Sequence, residues 1–553
     1  MSLAGHALSP DPTRASRPVV RESEARPALD RRFEYIVLSV YAVLVSVLAS
    51  LHEPWKDETQ TWRLAIDSDG VRALVRNSRY EGHPLLFHLM LQALGHLSRS
   101  WWAAVVLHVI IACLAAWVVL RYAPFTRLEK VLVVAGYFPA YEYAVIVRPY
   151  GLGMLLAFAA CAMWSAQRRR PIVVVLLLVL LANTSVFGML LALAAGATFL
   201  LDWVWPDDAP SRISPKVLAV GAITAALALA VVWLVARQVV PPADATFKGN
   251  GAAREGVTLW KVAAGLLVPF RAMVPVAKIG EGTVQWNRWL FEPYVRSTLL
   301  LDIVLSAMVV LVGALVASRR RTALFFFLAS TLGLTAFFLL FVEGGSRHHG
   351  HVAIGWIMAA WLAREGRPTV WPATLRPLVD RIQRLAPRLF VLSLIPMVAT
   401  SAEFAVGDAL RPFSDARGLA NFLVAHGLRD VPLIGLARAD AEAVSALLDR
   451  PMIIPSEGRT STFVMWGAAR VELANEVQLN RVTDTLFRTQ CRALLVSTRP
   501  RELPGSVATR ARLIYETSYR PMSKDRYRVW LMQAPSSPRC PAGSTVPTVD
   551  PVP

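Results

Sequence analysis

A succession of long apolar stretches constrains this 553-residue chain more than any other feature. A helix needs roughly 20 apolar residues to span a bilayer, and shorter ones are tolerated beside cavities or where the bilayer thins. Mean hydropathy is +0.44 and only 18% of residues are charged, against about 25% in soluble domains. This composition excludes a disordered chain and argues against a simple soluble enzyme. The apolar stretches cover 33–51, 101–120, 131–147, 150–166, 171–184, 186–201, 217–236, 299–317, 322–341, 352–363 and 388–402.

The distribution of basic residues predicts the topology. The 58 Lys and Arg against 39 Asp and Glu would suit a nucleic-acid partner, but in an apolar chain the positive-inside bias explains them better, so no nucleic acid is expected. The basic runs 168–170 and 319–321 should both be cytoplasmic, which requires an even number of crossings between them. The stretch 171–203 is therefore interpreted as two short helices, and the N-terminus is placed inside. The prediction is a mainly α-helical polytopic protein with about 11 transmembrane helices.

This topology leaves several segments outside the bilayer. The apolar stretch 83–97 is too short to cross and is expected to form a helix that lies on the outer membrane surface. With the C-terminus outside, residues after 402 are extracytoplasmic. The predicted organisation is a disordered cytoplasmic tail 1–32, a transmembrane domain 33–402 with outer loops 52–100 and 238–298, an extracytoplasmic α/β domain 403–533, and a disordered tail 534–553 rich in Pro and Ser.

The α/β domain is predicted from a change in pattern. Helices are expected at 415–427 and 439–448, and strands at 432–436, 492–497, 512–517 and 527–532. Four cysteines exclude a disulfide framework, although Cys491 and Cys540 can pair if this region is extracytoplasmic.

Candidate chemistry is concentrated in the first outer loop. Asp57 and Glu58 follow directly on the first apolar stretch, and ionisable groups at a membrane boundary are functional candidates. One carboxylate of such a pair can act as a general base while its neighbour binds a cation or orients the acceptor. The alternative is a solvated helix start, which favours acidic residues. The nearby Trp55, Glu81 and His83 favour the functional interpretation.

Two outer edges carry candidate cations. Arg148 precedes Pro149 and Tyr150 between two apolar stretches, where a snorkelling arginine is the alternative. Residues 343–351 contain Arg347, followed by His348 and His349. This cluster fits a phosphate clamp, with a zinc site as the competing interpretation. The aromatic residues of loop 238–298 fit interfacial anchors or sugar-stacking rings; they are Trp286, Trp289, Phe291 and Tyr294.

These motifs resemble those of the GT-C glycosyltransferases that use lipid-linked sugars. The chain is most similar to the protein O-mannosyltransferases and the bacterial aminoarabinose transferases of lipid A. Asp57 and Glu58 match the acidic pair of their first outer loop. His83-Pro84-Leu85 matches their second segment, with leucine in place of one proline. The resemblance covers the topology of 33–402, and no counterpart is identified for 403–533.

The resemblance implies a GT-C-like fold and an inverting transfer from a polyprenyl-phosphate-linked sugar to an acceptor on the extracytoplasmic face. It implies Asp57 as the base, with Glu58 supporting it or contacting the sugar, and the reverse assignment remains open. A leaving lipid phosphate needs cations. The implied donor-phosphate group is Arg148, Arg347, His348 and His349, and the implied substrate-binding group is His52, Trp55, Glu81, His83 and Tyr150.

The expected partners are the lipid-linked donor, the bilayer and an envelope acceptor of unknown identity. The expected location is a bacterial-type inner (plasma) membrane. The sequence identifies no cofactor and assigns no metal ligand, and a divalent metal remains open. No Walker-type loop is present in the sequence, which disfavours a nucleotide-sugar donor. Two other classes remain open: a lipid or sugar transporter or flippase, and a non-catalytic envelope assembly protein.

Overall fold

A computed structural model provides the fold. It describes residues 28–164, 171–204, 215–245, 251–280, 283–290, 299–365, 368–467, 473–499, 501–523 and 525–534. The predicted tails, the basic run 168–170, Phe291, Tyr294 and Cys540 lie wholly or largely outside these ranges.

Long apolar helices dominate the structure. Five of the described helices are long and apolar enough to cross a membrane. They are α1 (Ala28–Leu51), α5 (Trp101–Tyr122), α14 (Leu299–Ala317), α15 (Arg321–Leu340) and α17 (Arg376–Leu410). Further helices on the other predicted spans are α7 (Pro149–Trp164), α8 (Pro171–Ala182), α9 (Val186–Val204), α10 (Pro215–Val239) and α16 (Ser346–Arg364).

The chain breaks between α8 and α9, as the charge argument predicted. The Thr184 hydroxyl donates to the Leu181 carbonyl over 2.8 Å, and the Ser185 hydroxyl accepts from the Gly188 N–H at 2.9 Å. These side chains satisfy backbone groups that a helix end leaves unpaired. Two helices therefore occupy the stretch 171–204.

The predicted span 131–147 is not one continuous helix, which corrects the sequence interpretation. Helix α6 (Arg127–Val134) stops, and a π-helical turn follows at Phe138–Glu142. Pro139 lacks an N–H, and its carbonyl accepts from the Tyr41 hydroxyl at 2.5 Å. All five residues of the turn are buried in protein. Irregular backbone at membrane depth is tolerated where protein covers it in this way.

Short helices fill the first predicted outer loop. They are α2 (Lys56–Asp67), α3 (Gly70–Ser78) and α4 (Leu86–Gly95). Helix α4 lies within the stretch 83–97 that was expected to be helical. The second outer loop contains α11 (Ala252–Glu255), α12 (Leu259–Leu266) and α13 (Val268–Met273), then a hairpin of β1 (Ala277–Gly280) and β2 (Thr283–Trp289).

The C-terminal part contains a six-stranded mixed sheet. Its helices are α18 (Ala416–Ala425), α19 (Glu442–Leu447), α20 (Glu476–Leu486) and α21 (Gly505–Ala508). Its strands are β3 (Leu433–Gly435), β4 (Met452–Ile454), β5 (Arg459–Ser461), β6 (Arg492–Ser497), β7 (Ala511–Glu516) and β8 (Arg528–Gln533). The order is β5-β4-β3-β6-β8-β7, with β3 parallel to β4 and β6. The helices and strands predicted here are confirmed to within three residues at each end. Cys491 is disulfide-bonded.

The centre of the sheet is buried on both faces. Along β6, Leu494 and Val496 enter the core beneath α18 and α19, while Ala493 and Leu495 enter the core beneath α20. This alternation follows from the two-residue period of a strand. Helix α19 in turn packs on α2. The C-terminal sheet is thereby positioned against the first outer loop.

A buried histidine connects three elements around α2. His52 follows α1 directly, and its Nε2 lies 3.1 Å from Glu58 of α2. Its Nδ1 lies 2.7 Å from Asp408 of α17, which also accepts from the Tyr141 hydroxyl at 2.9 Å. Burial disfavours the charged imidazole, but Asp408 and Glu58 outweigh burial and raise the pKa of His52 to about 10.

We expect His52→Ala to destabilise the fold, because it leaves two buried carboxylates without their cation. Breaking a buried ion pair typically costs about 3–5 kcal/mol. Thermal unfolding of the detergent-solubilised protein measures the effect, and His96→Ala at an exposed position is the control.

The same cluster predicts a pH dependence of stability. Because the folded pKa is about 10 and the ordinary value is 6.5, the stabilisation is complete below about pH 6.5 and is lost as the pH rises through about 10. His52→Ala should lack this alkaline loss. A variant as stable as the wild type at pH 7 would contradict the role given to His52.

Candidate active site

The first turn of α2 orients its two carboxylates in different directions. Glu58 is fully buried. It accepts from the Trp55 N–H at 2.9 Å and from the Val147 N–H at 2.7 Å, in addition to the contact with His52. Both of its oxygens are therefore used within the protein. Glu58 fixes the start of α2 against the segment before α7 and does not face a substrate.

Asp57 is the carboxylate that faces outward. Its side chain is 30% exposed, and its Oδ2 accepts from Arg347 at 3.1 Å. Arg347 begins α16, so this contact joins the first outer loop to the loop at 343–351 that the sequence singled out. A partly exposed carboxylate paired with a guanidinium is the arrangement that remains accessible to a ligand.

Two tryptophans enclose the guanidinium of Arg347. Its central carbon lies 4.9 Å from the Trp55 ring centroid and 5.1 Å from that of Trp286. The two rings meet edge to face at 4.8 Å. One guanidinium nitrogen of Arg347, Nη1, is buried and has no hydrogen-bond partner among the described residues. Aromatic faces orient an arginine while leaving its edge free to donate.

Arg148 approaches from the opposite side, immediately before α7. It is buried and donates to the Asp57 carbonyl at 2.6 Å, to the Thr61 hydroxyl at 2.7 Å and to His83 Nε2 at 2.9 Å. Its Nε is buried without a partner in the described part of the chain. These hydrogen bonds hold the Arg148 guanidinium against α2, and one of them is made to the backbone carbonyl of Asp57.

His83 is a neutral neighbour of this cation. Burial, together with the charge of Arg148, lowers the pKa of His83 well below its usual value. The Tyr150 ring centroid lies 6.1 Å from that of His83 and 5.9 Å from that of His348. His348 Nε2 in turn lies 3.2 Å from Arg347 Nε. The structure therefore brings together five residues that the sequence analysis named as candidates: Arg148, Arg347, His348, His83 and Tyr150.

Three predicted site residues point elsewhere. His52 and Glu58 belong to the buried cluster described above. His349 lies on another face of α16, where its Nε2 is 3.0 Å from the Glu343 carbonyl and its ring meets Phe338 edge-on at 4.7 Å. His349 lies two positions after Arg347, about 200° around the helix, so the two side chains leave α16 on nearly opposite faces.

Glu81 is hydrogen-bonded toward the C-terminal part, while its charge also interacts with that of Arg148. Its Oε1 accepts from the side-chain amide of Gln60 at 2.6 Å. The same amide nitrogen donates to the Val464 carbonyl at 2.7 Å, and Gln60 Oε1 accepts from the Val464 N–H at 2.9 Å. Burial raises the pKa of Glu81 to about 7. Gln60 therefore links α2, Glu81 and the C-terminal sheet in one network.

Several residues near Asp57 had not been predicted. Lys56 contacts Asp525 at 3.4 Å. Glu442 of α19 is buried with an unpartnered Oε1, and burial, together with the charges of Glu81 and Asp57, raises its pKa well above the usual value. Asp525 and Glu442 lie several hundred residues from α2 in sequence, so only the tertiary fold brings them near.

No site of metal-ligand type accompanies these groups. Within the described ranges, no three His, Cys, Asp or Glu side chains are grouped so as to hold a metal ion. The interpretation of the 348–351 histidines as a zinc site has no geometric support, since His348 and His349 face different surroundings.

Comparisons with known proteins give similar structures but no sequence match. No protein-family model and no curated protein matches the chain. The solved structure of ArnT from Cupriavidus metallidurans in the apo state is 12% identical, with a TM-score of 0.47 over 91% of this chain and 98% of that one. ArnT bound to undecaprenyl phosphate is 14% identical, with a TM-score of 0.45 over 90% and 97%.

A third similar structure is the arabinofuranosyltransferase AftD from mycobacteria, which is 15% identical with a TM-score of 0.39. The alignment covers 92% of this chain and 40% of AftD.

Proposed function

We propose that this chain is an integral-membrane glycosyltransferase that moves a sugar from a polyprenyl-phosphate carrier to an acceptor on the extracytoplasmic face. The observation that carries the proposal is the ion pair between Asp57 and Arg347. It places one accessible carboxylate next to one cation with a free edge, at the boundary of the apolar helices.

The proposed reaction is an inverting displacement at the anomeric carbon. The acceptor hydroxyl forms a new C–O bond on one face while the bond between the anomeric carbon and the phosphate oxygen breaks on the other. Asp57 takes the hydroxyl proton, and the electron pair leaves with the lipid phosphate. Glu58 is excluded as the base in this scheme because its oxygens are occupied by two N–H donors and His52.

The two arginines are suited to the leaving phosphate. Negative charge develops on its oxygens in the transition state, and preorganised donors stabilise that charge most effectively. Arg347 and Arg148 each have a buried nitrogen with no partner in the described structure. Arg148 is held by three hydrogen bonds and requires little reorganisation.

The resting ion pair also provides an order of events. A donor phosphate that binds Arg347 competes with Asp57 for the same guanidinium. Once Arg347 contacts the phosphate, the Asp57 oxygen that accepted from Arg347 can accept from the acceptor hydroxyl instead. In this proposal the base becomes accessible when the donor is in place.

Two observations support the proposed orientation. The disulfide at Cys491 suits an oxidising compartment outside the cytoplasm. The basic run 319–321, which lies between α14 and α15, suits the cytoplasmic side. We propose that residues 403–533 form an extracytoplasmic domain that covers α2 through Gln60 and Lys56 and contributes to acceptor binding.

We expect Asp57→Asn to reduce sugar transfer by about 10²–10⁴-fold, the usual contribution of a general base. Consumption of radiolabelled polyprenyl-phosphate sugars by membranes containing the variant measures this loss. Asp69→Asn, an exposed change in the same outer loop, is the matched control. Full activity of Asp57→Asn would remove Asp57 as the base.

We expect Arg347→Ala to raise the apparent KM for the lipid-linked donor by roughly ten- to hundredfold, since hydrogen bonds to charged groups contribute about 1.5–3 kcal/mol. Arg347→Lys should recover little, because lysine lacks the planar fork that the two tryptophans enclose. Arg429→Ala, at an exposed outer position, is the control. An unchanged donor KM in Arg347→Ala would contradict the phosphate clamp.

We expect donor binding to weaken as the pH rises above about 7. The pKa of Glu81 is about 7, so a higher pH adds a negative charge that acts on Arg148 and opposes a phosphate. Glu81→Gln should shift this decline to higher pH. Donor KM measured between pH 6 and 8.5 tests the effect, and identical profiles for the two proteins would assign the decline to another group.

A further inference from the structure

A cavity far from the candidate active site lies between the N-terminal end of α1 and the C-terminal end of α5. Its volume is about 280 Å³, and its lining residues are Arg31, Glu34, Tyr35, Leu38, Trp117 and Arg121. The two helices run in opposite directions and pack together. This end of the pair is the one that the basic residues predict to face the cytoplasm.

The cations of the cavity are incompletely paired. Arg121 Nη1 lies 3.5 Å from Glu34 Oε2, yet it is buried and makes no hydrogen bond within the described structure. Arg31 is exposed, and no ion pair or hydrogen bond of its side chain occurs among the described residues. Nearby Arg127, by contrast, is paired with Asp30 at 2.6 Å and lies over the Phe33 ring. Two arginines against one carboxylate leave the cavity with a net positive charge.

An exposed apolar stripe leads from the membrane face into this cavity. On α5 the side chains of Ile110, Leu114 and Trp117 are 51%, 44% and 39% exposed. Their spacing places them on one helical face with Arg121, which follows Trp117 by four residues. On α1, Tyr35 is 66% exposed beside the same cavity. An aromatic pair at the end of an apolar stripe is typical of a membrane–water boundary.

We propose that this cavity binds the headgroup of an anionic phospholipid from the cytoplasmic leaflet. The phosphodiester accepts from Arg31 and Arg121, and an acyl chain lies along Ile110 and Leu114. A free phosphate ion would contact the arginines but not the apolar stripe, and a neutral lipid would contact the stripe but not pair with the arginines. Because the stripe leads directly to the arginines, the site favours an anion that carries an apolar chain. This site is independent of the proposed transferase reaction.

The test titrates the purified full-length protein in detergent with phosphatidylglycerol, phosphatidylcholine or inorganic phosphate and records the thermal unfolding midpoint. Arg31→Gln is the main variant, because Arg31 makes no ion pair or hydrogen bond with any residue that the structure describes. Arg32→Gln is the matched control: it removes the same charge from the adjacent position, and Arg32 does not line the cavity. Arg121→Gln is the second variant.

We expect phosphatidylglycerol to raise the midpoint of the wild type and of Arg32→Gln. Arg31→Gln and Arg121→Gln should each weaken the apparent phosphatidylglycerol affinity about fivefold, corresponding to about 1 kcal/mol per basic residue. Equal weakening in Arg32→Gln would indicate diffuse surface charge and overturn the site. An equal response to phosphatidylcholine, or to inorganic phosphate, would overturn the headgroup assignment. If Arg121→Gln fails to fold, Arg31→Gln against Arg32→Gln still decides the question.

Discussion

The buried carboxylate of Glu58 is the interaction on which the candidate site depends. Its bonds to Trp55, Val147 and His52 join the start of α2, the segment before α7 and the end of α1. A buried charge is stable only when paired and hydrogen-bonded, and His52 and Asp408 complete that pairing. Asp57 directly precedes Glu58, and Arg148 directly follows Val147. The bond between Glu58 and Val147 therefore fixes the positions of Asp57 and Arg148 relative to each other.

Asp57 and Glu58 are adjacent in sequence but lie in different surroundings, since Glu58 is buried and Asp57 is partly exposed. In the first turn of a helix, successive side chains point about 100° apart. One carboxylate can therefore be buried as a structural anchor while the other faces a ligand. The acidic pair that the sequence offered as catalytic is better described as one buried anchor and one accessible carboxylate, in which the anchor determines where the accessible carboxylate lies.

The sequence predicted what depends on local pattern and charge. The lengths of the apolar stretches predicted the long helices, and the positions of the basic runs predicted the break between α8 and α9. The alternation of apolar and polar residues predicted strands of the C-terminal sheet. It could not give the interruption at Phe138–Glu142, because the hydroxyl of Tyr41 and the surrounding protein compensate that backbone. Nor could it separate His348 from His349, or bring Trp286 and Glu442 beside α2, since those contacts arise only when distant elements pack.

Arg148 gives a physical reason for the site to attract an anion. It is buried, and its three hydrogen-bond acceptors in the described structure are a carbonyl, a hydroxyl and an imidazole, all of them neutral. Burial disfavours the charge of this guanidinium, but Tyr150 and the charges of Asp57 and Glu81 outweigh burial and raise the pKa of Arg148. Neutral His83 adds no opposing positive charge. Arg148 Nε has no hydrogen-bond partner among the described residues, so the fold holds a charged donor here that can bond a phosphate.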